Sequence, residues 1–144
     1  MNDRAPWISR VANAEAPGTR AGSTSLTVET VLLVEDDPEL LSGATGLFRS
    51  IGYEVQTAGN AAQAAEILES RTDIDIVFSD IMMPHGMSGI ELARHVRARY
   101  PGIRIVLTSA YPLAALRRDY GAIDEFVFVQ KPYRLSDVAR ARRV

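Results

Sequence analysis

The chain of 144 residues has no cysteine, two histidines, one tryptophan, and no apolar run near the ~20 residues that cross a bilayer. Without cysteine there is no disulfide and no thiolate metal site, and the expected home is a reducing compartment, the cytoplasm. The two histidines stand apart, His85 in a loop and His95 beside Arg94 and Arg97, so no imidazole metal site is expected and both read as solvated. The first thirty residues lack an apolar core of the kind a secretory signal needs. A net charge of -2, from 16 basic and 18 acidic residues, gives no reason to expect direct nucleic-acid or membrane binding. Lysine is scarcest of the common residues: every basic residue except Lys131 is arginine. Where such a chain keeps its one lysine, a compact ammonium is what the position needs.

What is present describes one domain. Hydrophobic content of 47% and charged content of 24% are ordinary for a globular chain of this size. Residues 1–29, rich in small and polar types, are expected to be a flexible tail, with Trp7, Ile8 and Val11 as one apolar turn. Residues 30–144 are expected to be a single domain that leaves no room for an output domain. Val31–Val34 reads as a buried strand, and Asp37-Pro38 opens a helix whose apolar positions are Leu40, Ala44, Leu47, Phe48 and Ile51, closed by Gly52. Tyr53–Thr57 reads as a second strand, Asn60 and Gln63 open a helix to about Ser70, and the run from Ile76 to Asp80 is a third strand stopped at Pro84. Ser88 and Glu91 form a capping box before Leu92, Ala93 and Val96. Ile103–Leu107 and Phe126–Val129 are further strands, with a helix around Leu113–Tyr120 between them and a last short, basic helix at 134–143. Five strands alternating with five helices predict a doubly wound, mostly parallel α/β sheet covered on both faces.

In such a sheet the ligand crevice lies beyond the carboxyl ends of the strands. There the pattern delivers Glu35 and Asp36 after the first strand, Asp80 after the third, Thr108 after the fourth and Lys131 after the fifth. Three carboxylates together need a cation, and hard oxygens without nitrogen or sulfur suit Mg²⁺. A carboxylate can also be a nucleophile toward phosphorus. A phosphoryl group on Asp80 would have its oxygens covered by Mg²⁺, the Lys131 ammonium and the Thr108 hydroxyl. Asp37 reads as a helix cap, Ser109 and Ala110 as small residues leaving room for the crevice, and Met82 and Met83 as packing, with the Met82 backbone carbonyl able to face a metal.

The motifs Leu33-Val34-Glu35-Asp36-Asp37-Pro38, Ser79-Asp80-Ile81-Met82-Met83-Pro84, Leu107-Thr108-Ser109 and Lys131-Pro132 resemble the receiver domain of two-component response regulators across residues 30–140. The resemblance implies a flavodoxin-like (βα)5 fold with strand order 2-1-3-4-5 and a cis Lys131-Pro132 bond. It also implies Asp80 as phosphoacceptor, and Asp36, Asp80 and the Met82 carbonyl as Mg²⁺ ligands, with Glu35 acting through water. Thr108 and Lys131 would sense the phosphoryl group, and Phe128 would be the switch aromatic. The loop Pro84–Gly89 is one residue longer than in the commonest receivers, and with Ala110-Tyr111 and Gln130-Lys131-Pro132-Tyr133 it resembles receivers attached to hybrid sensor kinases. Implied partners are a sensor histidine kinase or histidine phosphotransfer protein and an unidentified downstream protein. The expected state is a monomer or weak dimer. Two other readings use the same residues: a receiver-like interaction module that is never phosphorylated, and an aspartyl-phosphate phosphohydrolase of the haloacid-dehalogenase type.

Overall fold

The computed structural model describes residues 28–84, 86–134, 136 and 137. Five strands, β1 (Thr30–Val34), β2 (Glu54–Ala58), β3 (Ile76–Asp80), β4 (Arg104–Ser109) and β5 (Val127–Gln130), form one sheet. All pairings are parallel and the order is β2-β1-β3-β4-β5, as the family resemblance implied. Between them run α1 (Pro38–Ser50), α2 (Ala61–Ser70), α3 (Gly89–Arg99) and α4 (Leu113–Tyr120). Ser136 and Asp137 are helical. The remainder of the expected fifth helix beyond Arg134, with His85 and the tail through residue 27, lies outside the described residues.

The strands are apolar runs because helices cover both sides. On one face Leu32, Val34, Val77 and Leu107 pack against Ala64 and Leu68 of α2, Leu92 and Val96 of α3, and Leu116 of α4. On the other, Val31, Leu33, Phe78 and Val106 pack against Phe48 of α1 and Tyr53. Phe48 anchors that second layer, its ring 4.9 Å from Phe78 and 5.6 Å from Tyr53, edge to face. Burying a side chain of this size contributes about 2–3 kcal/mol.

Helix boundaries follow the polar signals in the sequence. The Asp37 carboxylate accepts from the N–H groups of Glu39 and Leu40, Asn60 accepts from Gln63 N–H, and Ser88 with Glu91 forms a complete capping box. Each cap satisfies helix-end donors and is worth about 1 kcal/mol. Past α1 the chain turns at Gly52 with φ +97°, a conformation that favours glycine.

Three expectations need correction. Leu40, in the first turn of α1, is 51% exposed rather than buried, because it borders an open groove. It walls this groove of about 560 Å³ with Gly43, Ala44, Leu47 and Tyr133. Thr108 and Ser109 belong to β4 rather than following it, since they pair with Val129 and Gln130 of β5. Of the two methionines only Met83 is packed, 6% exposed, whereas Met82 is 39% exposed and its sulfur accepts a hydrogen bond from the Tyr120 hydroxyl at 3.2 Å.

Candidate phosphoacceptor site

The sheet register itself assembles the site. Val34 pairs with Ser79 and Asp80 with Thr108, so the residues following each strand emerge side by side. The ladder continues one residue past the strand ends, and that continuation fixes the functional positions. Glu35 N–H donates to Ala58 O at 3.1 Å, Ile81 N–H to Thr108 O at 2.9 Å, and Lys131 N–H to Ser109 O at 2.8 Å. Backbone bonds of this kind hold side chains in place at no cost in side-chain freedom.

Asp80 is 6% exposed at the end of β3, and Glu35 is 8% exposed after β1, while Asp36 points to solvent. One carboxylate oxygen from each of these three lies within 4.8 Å of the others. The Lys131 ammonium donates to Glu35 Oε1 at 2.7 Å and stands 3.4 Å from Asp80 Oδ2. Glu35 Oε2 accepts from Asp37 N–H at 3.2 Å, and Asp80 Oδ1 lies 3.4 Å from Met82 N–H. The peptide bond joining Lys131 to Pro132 is cis.

The charges are unevenly compensated. Burial pushes the Asp80 carboxyl up to about 6, with the Lys131 charge pulling it down and the neighbouring Glu35 pushing it up. Burial also works against the Lys131 ammonium, but the Glu35 hydrogen bond and the two carboxylate charges outweigh it and leave its pKa raised. Tyr133, whose ring centroid lies 5.4 Å from that of Phe78, is pushed up to about 12 by burial and then by the charges of Glu35 and Asp80. Anionic Asp80 is therefore costly in this crevice, and an added cation would offset the cost.

The donor set meets the requirements of a hard divalent cation: three carboxylates, all oxygen, at close quarters. A second feature points to a guest. The Thr108 hydroxyl is buried and has no hydrogen-bond partner among the described residues, although Thr108 pairs directly with Asp80 in the sheet. Buried hydroxyls are rarely left unpaired.

Over residues 31–142 the chain matches the family model "Response regulator receiver domain". It belongs to the response regulator receiver domain family. This receiver domain of two-component signalling is 35% identical over 138 residues to the sensor kinase CckA of Brucella abortus, covering 95% of this chain and 14% of that protein. It is 32% identical over 108 residues to the response regulator receiver protein CpdR of the same organism, covering 75% of this chain and 88% of CpdR. Among solved structures it is similar to the response regulator protein TrrA of Thermotoga maritima in complex with Mg²⁺-BeF, with a TM-score of 0.69 and 28% identity over 78% of this chain and 95% of that one. The receiver thus spans a small part of the kinase and most of the length of CpdR.

Of the residues expected at the site, the structure brings Glu35, Asp36, Asp80 and Lys131 together, with Thr108 adjacent across β4. Phe128 stands apart from that group. It is half-buried and packs on the side of Leu107, whereas Thr108 lines a small gap with Leu33, Phe78 and Tyr133 on the opposite face. His95 is half-buried rather than solvated, its ring edge-on to Tyr100 at 6.4 Å.

Two positions carry more than the sequence reading gave them. A Cβ on Gly89, the first residue of α3, would run into the Asp80 carbonyl, and Gly89 N–H donates to Ile81 O at 3.0 Å. Glycine is a poor helix former, so its use at the head of α3 was the available signal of a close backbone approach. Gln130 is the other: the sequence marked it only as part of the Gln130-Lys131-Pro132-Tyr133 motif and gave it no role of its own.

Proposed function

We propose that this receiver domain accepts a phosphoryl group on Asp80 from a phosphohistidine of a sensor histidine kinase or histidine phosphotransfer protein. One observation carries the reading: a buried carboxylate is grouped with two further acids and a lysine ammonium, beside a buried threonine hydroxyl with no partner among the described residues. An Asp80 Oδ attacks phosphorus, forming a P–O bond as the P–N bond breaks. The electron pair leaves with the imidazole nitrogen. Hydrolysis later returns Asp80 and inorganic phosphate.

Glu35, Asp36, Asp80 and the Met82 carbonyl would hold Mg²⁺, Glu35 acting through water. The bound cation supplies charge neutralisation and a coordination site for phosphate oxygen. The remaining work falls to the chain. Lys131 is already charged and positioned by Glu35, so it can turn to a phosphoryl oxygen on Asp80 with little reorganisation. Thr108 can donate its free hydroxyl to another such oxygen. By the family resemblance Phe128 would follow that movement by rotating, from a resting position on the opposite face of the sheet beside Leu107. The change is a population shift that alters the surface near residues 110–133 for a partner. Signalling through phosphorylation-dependent protein binding in the cytoplasm, or service as a phosphate sink, follows from that chemistry.

Intact mass after incubation with a small phosphodonor, with and without Mg²⁺, tests the reading on wild type and Asp80→Asn. One added phosphoryl group that requires both Mg²⁺ and Asp80 is expected. No adduct from small donors or from phosphohistidine proteins would leave an unphosphorylated interaction module as the better account.

A further inference from the structure

Gln130 ends β5, immediately before Lys131, and its side chain turns back over the β4–α4 loop. Its amide nitrogen lies 2.9 Å from Ala110 O, 3.2 Å from Ser109 O, 3.3 Å from Tyr111 O and 3.4 Å from Lys131 O. A primary amide has two N–H donors, and here it is ringed by four carbonyl oxygens. The opposite flip would aim its oxygen at those carbonyls, so the surroundings decide the orientation. Three of the four acceptors are consecutive residues, and they are the three that directly follow Thr108. The Ser109 hydroxyl adds a local tie by accepting from Tyr111 N–H at 3.0 Å. Pro112 then stands as the N-cap of α4 and makes no side-chain capping hydrogen bond.

The sheet order gives this arrangement a direction. Asp80 lies on β3, to one side of β4, and Gln130 lies on β5, to the other. The Thr108 backbone is held on both sides, by Asp80 and Val129 in the register and by Ile81 N–H on its carbonyl. Ser109 is held too, by its pairing with Gln130 and by Lys131 N–H on its carbonyl, so what remains free to move is the loop from Ala110. Any closure of Ala110 and Tyr111 toward Asp80 is a movement away from Gln130 and breaks bonds to its amide.

We propose that Gln130 is a positioning residue that holds Ala110 and Tyr111 in the resting arrangement, and so sets how readily the loop after Thr108 closes on a phosphoryl group at Asp80. This rests on the phosphoacceptor reading above. The amide is solvent-exposed, so its bonds are worth little to overall stability. They act on the equilibrium between two loop positions, where a small difference is amplified directly into affinity.

The test is calorimetric titration of the full chain with beryllofluoride in Mg²⁺, comparing wild type with Gln130→Ala, Gln130→Glu and Gln130→Lys. The series separates donor capacity from size. Alanine deletes the donors, and glutamate sets acceptors against carbonyls at nearly the same shape. Lysine restores donors on a chain of similar reach. Binding about fivefold tighter is expected for the alanine variant, from loss of one to two exposed hydrogen bonds that resist closure. The glutamate variant should tighten at least as much, and the lysine variant should match wild type. Matching melting temperatures show that the variants fold alike. If wild type binds beryllofluoride and all three variants bind equally, the inference fails while the phosphoacceptor reading stands. Weaker binding by the alanine and glutamate variants also overturns it, since Gln130 would then support the closed loop. Failure of wild type to bind overturns both.

Discussion

Replacing Asp80 by asparagine should make this domain more stable in metal-free buffer at neutral pH. The carboxyl is raised from 3.8 to about 6 in the fold, chiefly by burial. A raised folded-state pKa means that the native protein holds this proton more tightly than the unfolded chain does. The resulting stability is fully present below pH ~4 and is lost as pH rises through about 6. At 1.36 kcal/mol per unit the full shift is worth about 3 kcal/mol, and solvent screening at the crevice mouth reduces this to about 2 kcal/mol. Asparagine has nearly the same shape and no charge to desolvate, so Asp80→Asn should gain that amount above pH 6 and almost nothing at pH 4. For a domain of this length about 2 kcal/mol corresponds to a rise of roughly 5–8 °C in melting temperature. Thermal unfolding followed by circular dichroism in EDTA, at pH 7.5 and pH 4, measures it. Using the difference between the two proteins cancels the titration of the other carboxylates. A variant no more stable than wild type at pH 7.5 would refute the argument that Asp80 is a poorly compensated buried charge. Adding Mg²⁺ should stabilise wild type and leave the variant nearly unchanged.

Other consequences can be checked in the same way. Gly89→Ala should lower stability by about 1–3 kcal/mol in chemical denaturation, because the new methyl group meets Asp80 backbone that cannot yield cheaply. It should also slow phosphorylation, since the same backbone carries the acceptor. Glu29→Ala should cost about 1–2 kcal/mol at pH 7 by urea titration, because it removes a carboxylate bonded at 2.8 Å to the Arg104 guanidinium, whose side chain is 9% exposed. That site is at the opposite end of the sheet, so beryllofluoride affinity should not change. Lys131→Met should abolish the phosphoryl adduct in intact-mass measurements. It should also move the Asp80 titration to higher pH, because the nearby cation that favours the charged form is gone.

The elements of the fold were legible because their signals are local. Asp37, Asn60 and Ser88 each mark a helix start by a hydrogen bond that spans two or three residues, and all three caps form where the pattern put them. Strand limits moved by one or two residues where a partner strand decided them. Thr108 and Ser109 look polar enough to leave the sheet, yet β5 pairs with both. Leu40 fits the helical stripe of α1, but whether that stripe meets a covering surface depends on what packs against it. Among the site residues, Glu35, Asp36, Asp80, Thr108 and Lys131 were readable because each follows an apolar run, and a parallel sheet brings such positions to one edge.

The sequence by itself determined the parallel α/β architecture, and the identity of the acids, the hydroxyl and the amine at the crevice. Those follow from periodicity, turn chemistry and charge, all of which are properties of short stretches. Only the tertiary structure decided how the charges are shared. Lys131 is nearer Glu35 than Asp80, Asp80 is held well above the usual carboxylate range, and the Thr108 hydroxyl is left without a partner among the described residues. The same holds for Gly89 against the Asp80 carbonyl and for Gln130 over the loop that follows Thr108. Each depends on the distance between atoms far apart in the chain and on how much water remains between them. Local sequence carries neither quantity.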